Sequence, residues 1–265
     1  MTTGRVRLES VFRRAAEEGR GALVTYVMAG APDMPTSEAL VRACLEAGAD
    51  VVELGFPYSD PIADGPTLQR AAEKALAGGT RLKDVLALAA RLRADFTAPI
   101  VLMGYLNPVL AFGEARFFEA CVRAGVDGII LPDLPPEEGE ELRAHAAAAG
   151  VAIVPLLTPT SHEGRVRAAM KDAGGFTYYV SVSGVTGARA ELPQSLPERL
   201  GALRQQSHLP VAVGFGISSA EQVRMLVQHA DGVVVGSAIT QQMATGGVGA
   251  AKTFVASLVS GLKKG

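Results

Sequence analysis

At 265 residues, 48% of them hydrophobic, the chain can bury one large core or two modest ones, and length alone does not choose. A formal charge of -2 supplies no basic field, so nucleic acid is not an expected partner. The N-terminus, Met1 to Arg20, carries Arg5, Arg7, Arg13, Arg14, Glu17 and Glu18 in place of the apolar core of a secretory signal. Apolar runs such as Val151 to Leu157 fall far short of the ~20 residues that span a bilayer. The expectation is a soluble, cytoplasmic protein.

A leading helix near Leu8 to Glu18 precedes a first strand at Ala22 to Met28. A helix at Ser37 to Ala47 leads to a second strand at Asp50 to Leu54. The helix Leu82 to Ala94 precedes strand Ile100 to Met103, and Glu114 to Ala124 precedes Gly128 to Leu131. Helix Pro136 to Ala149 then feeds strand Ala152 to Leu156, and helix Glu163 to Ala173 feeds strand Thr177 to Val182. Helix Pro197 to Gln206 precedes strand Val211 to Gly214, and Ser219 to His229 precedes Gly232 to Val235. A short helix ending near Met243 and a last helix, Ala250 to Leu262, complete the chain. Near-continuous apolar strands separated by single helices predict parallel strands covered by helices. Eight such units closing on themselves give a (β/α)8 TIM barrel, with an additional N-terminal helix and a short phosphate-binding helix after the eighth strand. The alternative, an open doubly wound sheet, lacks a Gly-x-Gly-x-x-Gly after its first strand. No linker or composition shift divides residues 1–265, which read as a single domain.

In such a barrel the chemistry sits at the carboxyl ends of the strands. Glu53 interrupts an apolar run there, Val51-Val52-Glu53-Leu54-Gly55. The chain repeats this pattern at Val126 to Pro132, and aligning the copies on Ala43-Cys44 and Ala120-Cys121 sets Glu53 opposite Ile130. An unpaired buried carboxylate is costly or takes up a proton, which marks a site. The competing reading tilts Glu53 to the rim to pair with an arginine.

Three loops stand out. Phe56 to Gln69, after the second strand, is long, contains three prolines and supplies a second acid, Asp64. Two carboxylates can divide proton transfer from charge stabilisation, although Asp64-Gly65-Pro66 is equally a helix-entry signal. Gly214-Phe215-Gly216-Ile217-Ser218 and Gly236-Ser237-Ala238 follow the seventh and eighth strands, where backbone amides and a helix N-terminus make a phosphate cup. Ser181 to Ala190, rich in small residues, reads either as a hinged lid in which Thr186 bonds an active-site acid or as a surface loop.

Absences narrow the chemistry. The six lysines, Lys74, Lys83, Lys171, Lys252, Lys263 and Lys264, fall on helices or the tail, so no barrel-centre imine is expected. His145, His162, His208 and His229 sit on or beside outer helices, and no metal or other cofactor is expected. Cys44 and Cys121 read as buried thiols rather than a disulfide.

The chain resembles the alpha subunit family of tryptophan synthase over nearly its whole length. The likeness is carried by Glu53 to Pro66, Tyr105-Leu106-Asn107-Pro108, Ser183-Gly184-Val185-Thr186-Gly187 and Gly214 to Ser218. It implies retro-aldol cleavage of indole-3-glycerol phosphate to indole and glyceraldehyde 3-phosphate, with indole passed to a beta subunit in an α2β2 assembly. A stand-alone lyase that releases free indole, and an idle barrel kept only to activate its partner, are the alternatives. The resemblance implies Glu53 and Asp64 as catalytic acids. Tyr178, Thr186, Gly187, Phe215, Gly216, Gly236 and Ser237 match substrate-contacting positions, and Tyr26 and Met103 would line the indole end. Pro57 and Asp60 are expected at the partner interface, on a loop whose Pro57, Tyr58, Pro61 and Ile62 are expected to expose apolar surface. Val182 stands where some members carry arginine, which removes any lid mechanism that depends on that charge.

Overall fold

The computed structural model describes residues 3–135, 138–180, 195–214 and 216–265. In chain order the described elements are α1 (Gly4–Glu17), β1 (Ala22–Met28), α2 (Met34–Glu46), β2 (Val51–Gly55), α3 (Pro66–Ala77), α4 (Leu82–Asp95), β3 (Ile100–Met103), α5 (Leu106–Phe112), α6 (Glu114–Ala124), β4 (Gly128–Ile130), α7 (Glu140–Ala149), β5 (Ala152–Ile153), β6 (Leu156–Leu157), α8 (Glu163–Met170), β7 (Thr177–Val180), α9 (Leu196–Gln206), β8 (Val211–Gly214), α10 (Ala220–Val227), β9 (Gly232–Val235) and α11 (Ser237–Val259).

All strand pairs are parallel, in the order β5-β4-β3-β2-β1-β9-β8-β7-β6. The fifth expected strand is split into β5 and β6 around Val154 and Pro155, because proline has no N–H for the ladder. The break does not open the ring. Val154 N–H donates to the Ile129 carbonyl at 3.0 Å, and Tyr178 N–H donates to the Pro155 carbonyl at 2.9 Å. Residues 152–157 thus join β4 on one side and β7 on the other, which closes a TIM barrel.

Period-two alternation sorts the strand side chains. Leu23, Val52, Leu54, Leu102, Ile129, Val213 and Val233 face the helical ring, whereas Val24, Val51, Val101, Ile130, Ala212 and Val234 fill the interior. Leu8, Val11, Phe12 and Ala15, one stripe of α1, join that interior cluster beneath the first residues of the strands. Arg7 of α1 reaches Asp127, just before β4, at 2.6 Å. With α1 closing the amino end of the barrel, the carboxyl ends of the strands form its mouth.

The two helices expected after β9 are one run, α11, broken at Gly247, whose left-handed φ of 72° ends the first part. Helices α3 and α5 add to those read from the sequence. Cys44 and Cys121 are buried free thiols, each pushed up to about 12 by burial. Among the described residues no helix is long and apolar enough to cross a membrane.

Candidate active site

Glu53 is the third residue of β2 and is 0% exposed. Neither of its carboxyl oxygens has a hydrogen-bond partner among the described residues, and no described arginine pairs with it. Burial first, and then the charge of Asp64, push its pKa up to about 8. Ile130, its counterpart in the repeat, is equally buried in the barrel interior, so the second copy fills with a hydrocarbon the place where the first holds an acid.

Asp64 comes from the loop between β2 and α3, and it does not cap the helix. The N-cap of α3 is Gly65, which makes no side-chain bond, and Pro66 pre-sets the first helical φ. The Gln69 side-chain amide donates to the Asp64 carbonyl at 2.9 Å, and the Tyr105 hydroxyl accepts Ala63 N–H at 2.9 Å. Burial raises the Asp64 pKa to about 6, and the nearby Tyr105 hydroxyl works in the opposite direction.

Two phenols border the acids. Tyr26 pairs in register with Glu53 across β1 and β2. Its hydroxyl occupies the space over Gly55, where an added Cβ would lie only 2.2 Å from the oxygen. Tyr178 uses Gly214 in the same way, with 2.7 Å to an added Cβ. Glycines at two strand ends therefore seat two phenols in the mouth. Burial, followed by the charges of Glu53 and Asp64, raises both hydroxyls well above the ordinary tyrosine value. Met103, half-buried at the end of β3, packs against the clusters that contain Tyr26 and Tyr178.

The glycine turns lie side by side because β8 and β9 pair, with Gly214 opposite Val234. Gly216 has a left-handed φ of 60°, and an added Cβ would meet nothing within 4 Å. Gly236 abuts the Tyr26 ring, 3.1 Å from an added Cβ, and is the N-cap of α11 without a side-chain cap bond. The first-turn N–H groups beginning at Ser237 consequently lack intrahelical acceptors, the arrangement that receives an anion. Thr186, Gly187, Phe215 and Val182 lie outside the described residues.

Asp60 is exposed, but the loop is less of an apolar surface than expected. Pro57 is buried, Tyr58 and Pro61 are half-buried, and Ile62 alone of the four is open, at 76%. His145, expected to be remote from metal-ligand geometry, does gather with Glu114 and Glu141, their ligand atoms within 4.8 Å, on outer helices α6 and α7. Sequence reasoning quoted Tyr105 but gave it no role. Its place directly beyond β3 was the available signal.

The family model for the tryptophan synthase alpha chain matches residues 12–260. The chain belongs to the tryptophan synthase alpha chain family. It is 50% identical over 235 residues to the alpha chain of Geobacter sulfurreducens, covering 89% of each chain. With that of Geotalea daltonii it shares 46% identity over 259 residues and 98% of each chain. A Mycobacterium tuberculosis tryptophan synthase structure superposes with a TM-score of 0.92 at 38% identity, covering 98% of this chain and 99% of that one. The reaction is a lyase reaction of tryptophan biosynthesis: indole-3-glycerol phosphate is cleaved to indole and glyceraldehyde 3-phosphate, and indole passes to the beta subunit.

Proposed function

We propose that Glu53 carries the proton of the cleavage and Asp64 steadies the charge it creates. The observation that carries this reading is the orphaned, fully buried Glu53 carboxyl with Asp64 close enough to perturb it. With its pKa near 8, Glu53 is protonated at neutral pH and can give its proton to indole C3. The ring becomes an indolenine with positive charge at N1. Asp64, with its lower pKa near 6, is mainly a carboxylate at pH 7 and accepts the N1–H. The Glu53 carboxylate then removes the proton of the side-chain hydroxyl, the carbon–carbon bond breaks, and its electron pair returns to the ring as indole leaves. Glyceraldehyde 3-phosphate is the other product.

Tyr26, Met103 and Tyr178 border the indole end, while Gly216, Gly236 and Ser237 hold the phosphate. Thr186, Gly187 and Phe215 are assigned to substrate by the family motif. No cofactor enters this scheme. The chain acts as one domain in the cytoplasm, in an α2β2 assembly with beta subunits that contact the loop carrying Asp60. Indole release by the purified chain, with and without a beta subunit, tests the assembly. Stimulation is the expected result, and an unchanged rate would favour a stand-alone lyase.

A further inference from the structure

Asp64 belongs to one loop, and the phenol bonded beside it, Tyr105, belongs to another. Tyr105 follows β3 and is 3% exposed. The hydroxyl oxygen accepts Ala63 N–H at 2.9 Å, which leaves the phenolic proton free for the neighbouring carboxylate. Tyr58, in the Asp64 loop, lays its ring on that of Tyr105, with centroids 5.3 Å apart and planes at 28°. The Tyr58 hydroxyl accepts the side-chain amide of Asn107 at 2.6 Å. Leu106 N–H, the next backbone donor after Tyr105, gives to both oxygens of Asp133 at 2.9 and 3.1 Å. The ring is thus held on its face by the Asp64 loop and through its backbone by the loop after β4.

We propose that Tyr105 is a positioning residue for Asp64, its clamped hydroxyl binding Ala63 N–H and the Asp64 carboxylate together and so placing that carboxylate for indole N1. The proposal rests on the reading of Asp64 as the N1 acceptor. A donor that meets the charged form also favours the charged form, so Tyr105 keeps Asp64 ionised where burial opposes ionisation. The titratable groups that face Asp64 are Glu53 of β2, Tyr26 of β1, Tyr178 of β7 and Tyr105 itself, with Asp133 acting on Tyr105 in turn. Of these groups only Tyr105 lowers the Asp64 pKa, and its hydroxyl is the one bonded to the backbone N–H of the adjoining Ala63.

The test is a pH profile of indole-3-glycerol phosphate cleavage by the full chain carrying Tyr105→Phe, beside Asp64→Asn. Phenylalanine keeps the ring that Tyr58 stacks on and removes only the hydroxyl. The expected result is a kcat lowered about 10-fold or more at pH 7, a KM within about 2-fold of wild type, and an acid limb moved to higher pH because Asp64 now protonates more readily. Wild-type kcat with an unmoved acid limb overturns the proposal, provided Asp64→Asn is inactive. If Asp64→Asn is itself active, the assignment of Asp64 has failed instead. Should Tyr105→Phe not fold, a fluorinated tyrosine at 105 decides the matter. Its stronger donation must move the acid limb to lower pH, and an unmoved limb overturns the proposal.

Discussion

Asp64 adds its charge to the burial that raises the Glu53 carboxyl, so that Glu53 stands at about 8 while Asp64, raised by burial alone, stands at about 6. Two like acids with separated pKa values can serve as acid and as anion at one pH. Their separation follows from burial. Glu53 lies inside β2 with no partner among the described residues, whereas Asp64 is half-buried and adjoins Ala63, whose N–H is bonded to the Tyr105 hydroxyl that lowers the Asp64 pKa.

Folding stability should register Glu53 as well. Its ordinary value is 4.5 and its folded value about 8, so between those limits the folded state holds more protons than the unfolded state. Stability therefore falls as pH rises from about 4.5 to 8 and levels off above, by on the order of a few kcal/mol. Replacing Glu53 with Gln removes this slope. Thermal melts should show the variant gaining on the wild type steadily across that range, and parallel Tm curves would count against a buried titrating carboxyl.

Asp64→Asn should abolish turnover and leave the melting temperature within about 2 °C, because Gly65 rather than Asp64 caps α3. A helix cap would instead lose ~1 kcal/mol on substitution. Active protein with a lowered Tm is the outcome that returns Asp64 to a structural role.

The barrel was legible because parallel strands buried on both faces read as apolar runs, and Glu53 was legible because it breaks one of them. The split at Pro155 was not, since a strand interrupted by one missing N–H keeps its apolar pattern. Nor was Tyr105 read as a site residue. A tyrosine after an apolar strand looks like any other, and its link to Asp64 exists only once two loops meet. Burial of Pro57 was equally invisible, because proline in a loop signals rigidity and says nothing of depth.

Gly216→Val should raise KM about 10-fold or more with a smaller effect on kcat. An added side chain meets open space there, so the harm comes from forcing a β-branched residue into a left-handed φ of 60°, which re-aims the turn's amides. Steady-state kinetics measure it. An unchanged KM would move the phosphate away from this turn.

The proposed partner contact implies a split within one loop. Asp60 is exposed, so Asp60→Ala should weaken stimulation by a beta subunit and leave isolated-chain cleavage within about 2-fold. Pro57 is buried, so Pro57→Ala should in addition lower the Tm of the isolated chain. Titration of each variant with beta subunit, alongside thermal melts, checks both. Equal stimulation of wild type and Asp60→Ala would remove Asp60 from the interface.

Whether the Glu53 proton drives cleavage, as proposed, is read from indole release from indole-3-glycerol phosphate at pH 7 by the full chain carrying Glu53→Gln. The amide keeps the shape and cannot titrate. The expected kcat is at least about 100-fold below wild type with substrate still bound, in line with the 10²–10⁴-fold worth of general acid–base catalysis, whereas a variant that retains more than about a tenth of wild-type kcat removes Glu53 as the proton carrier.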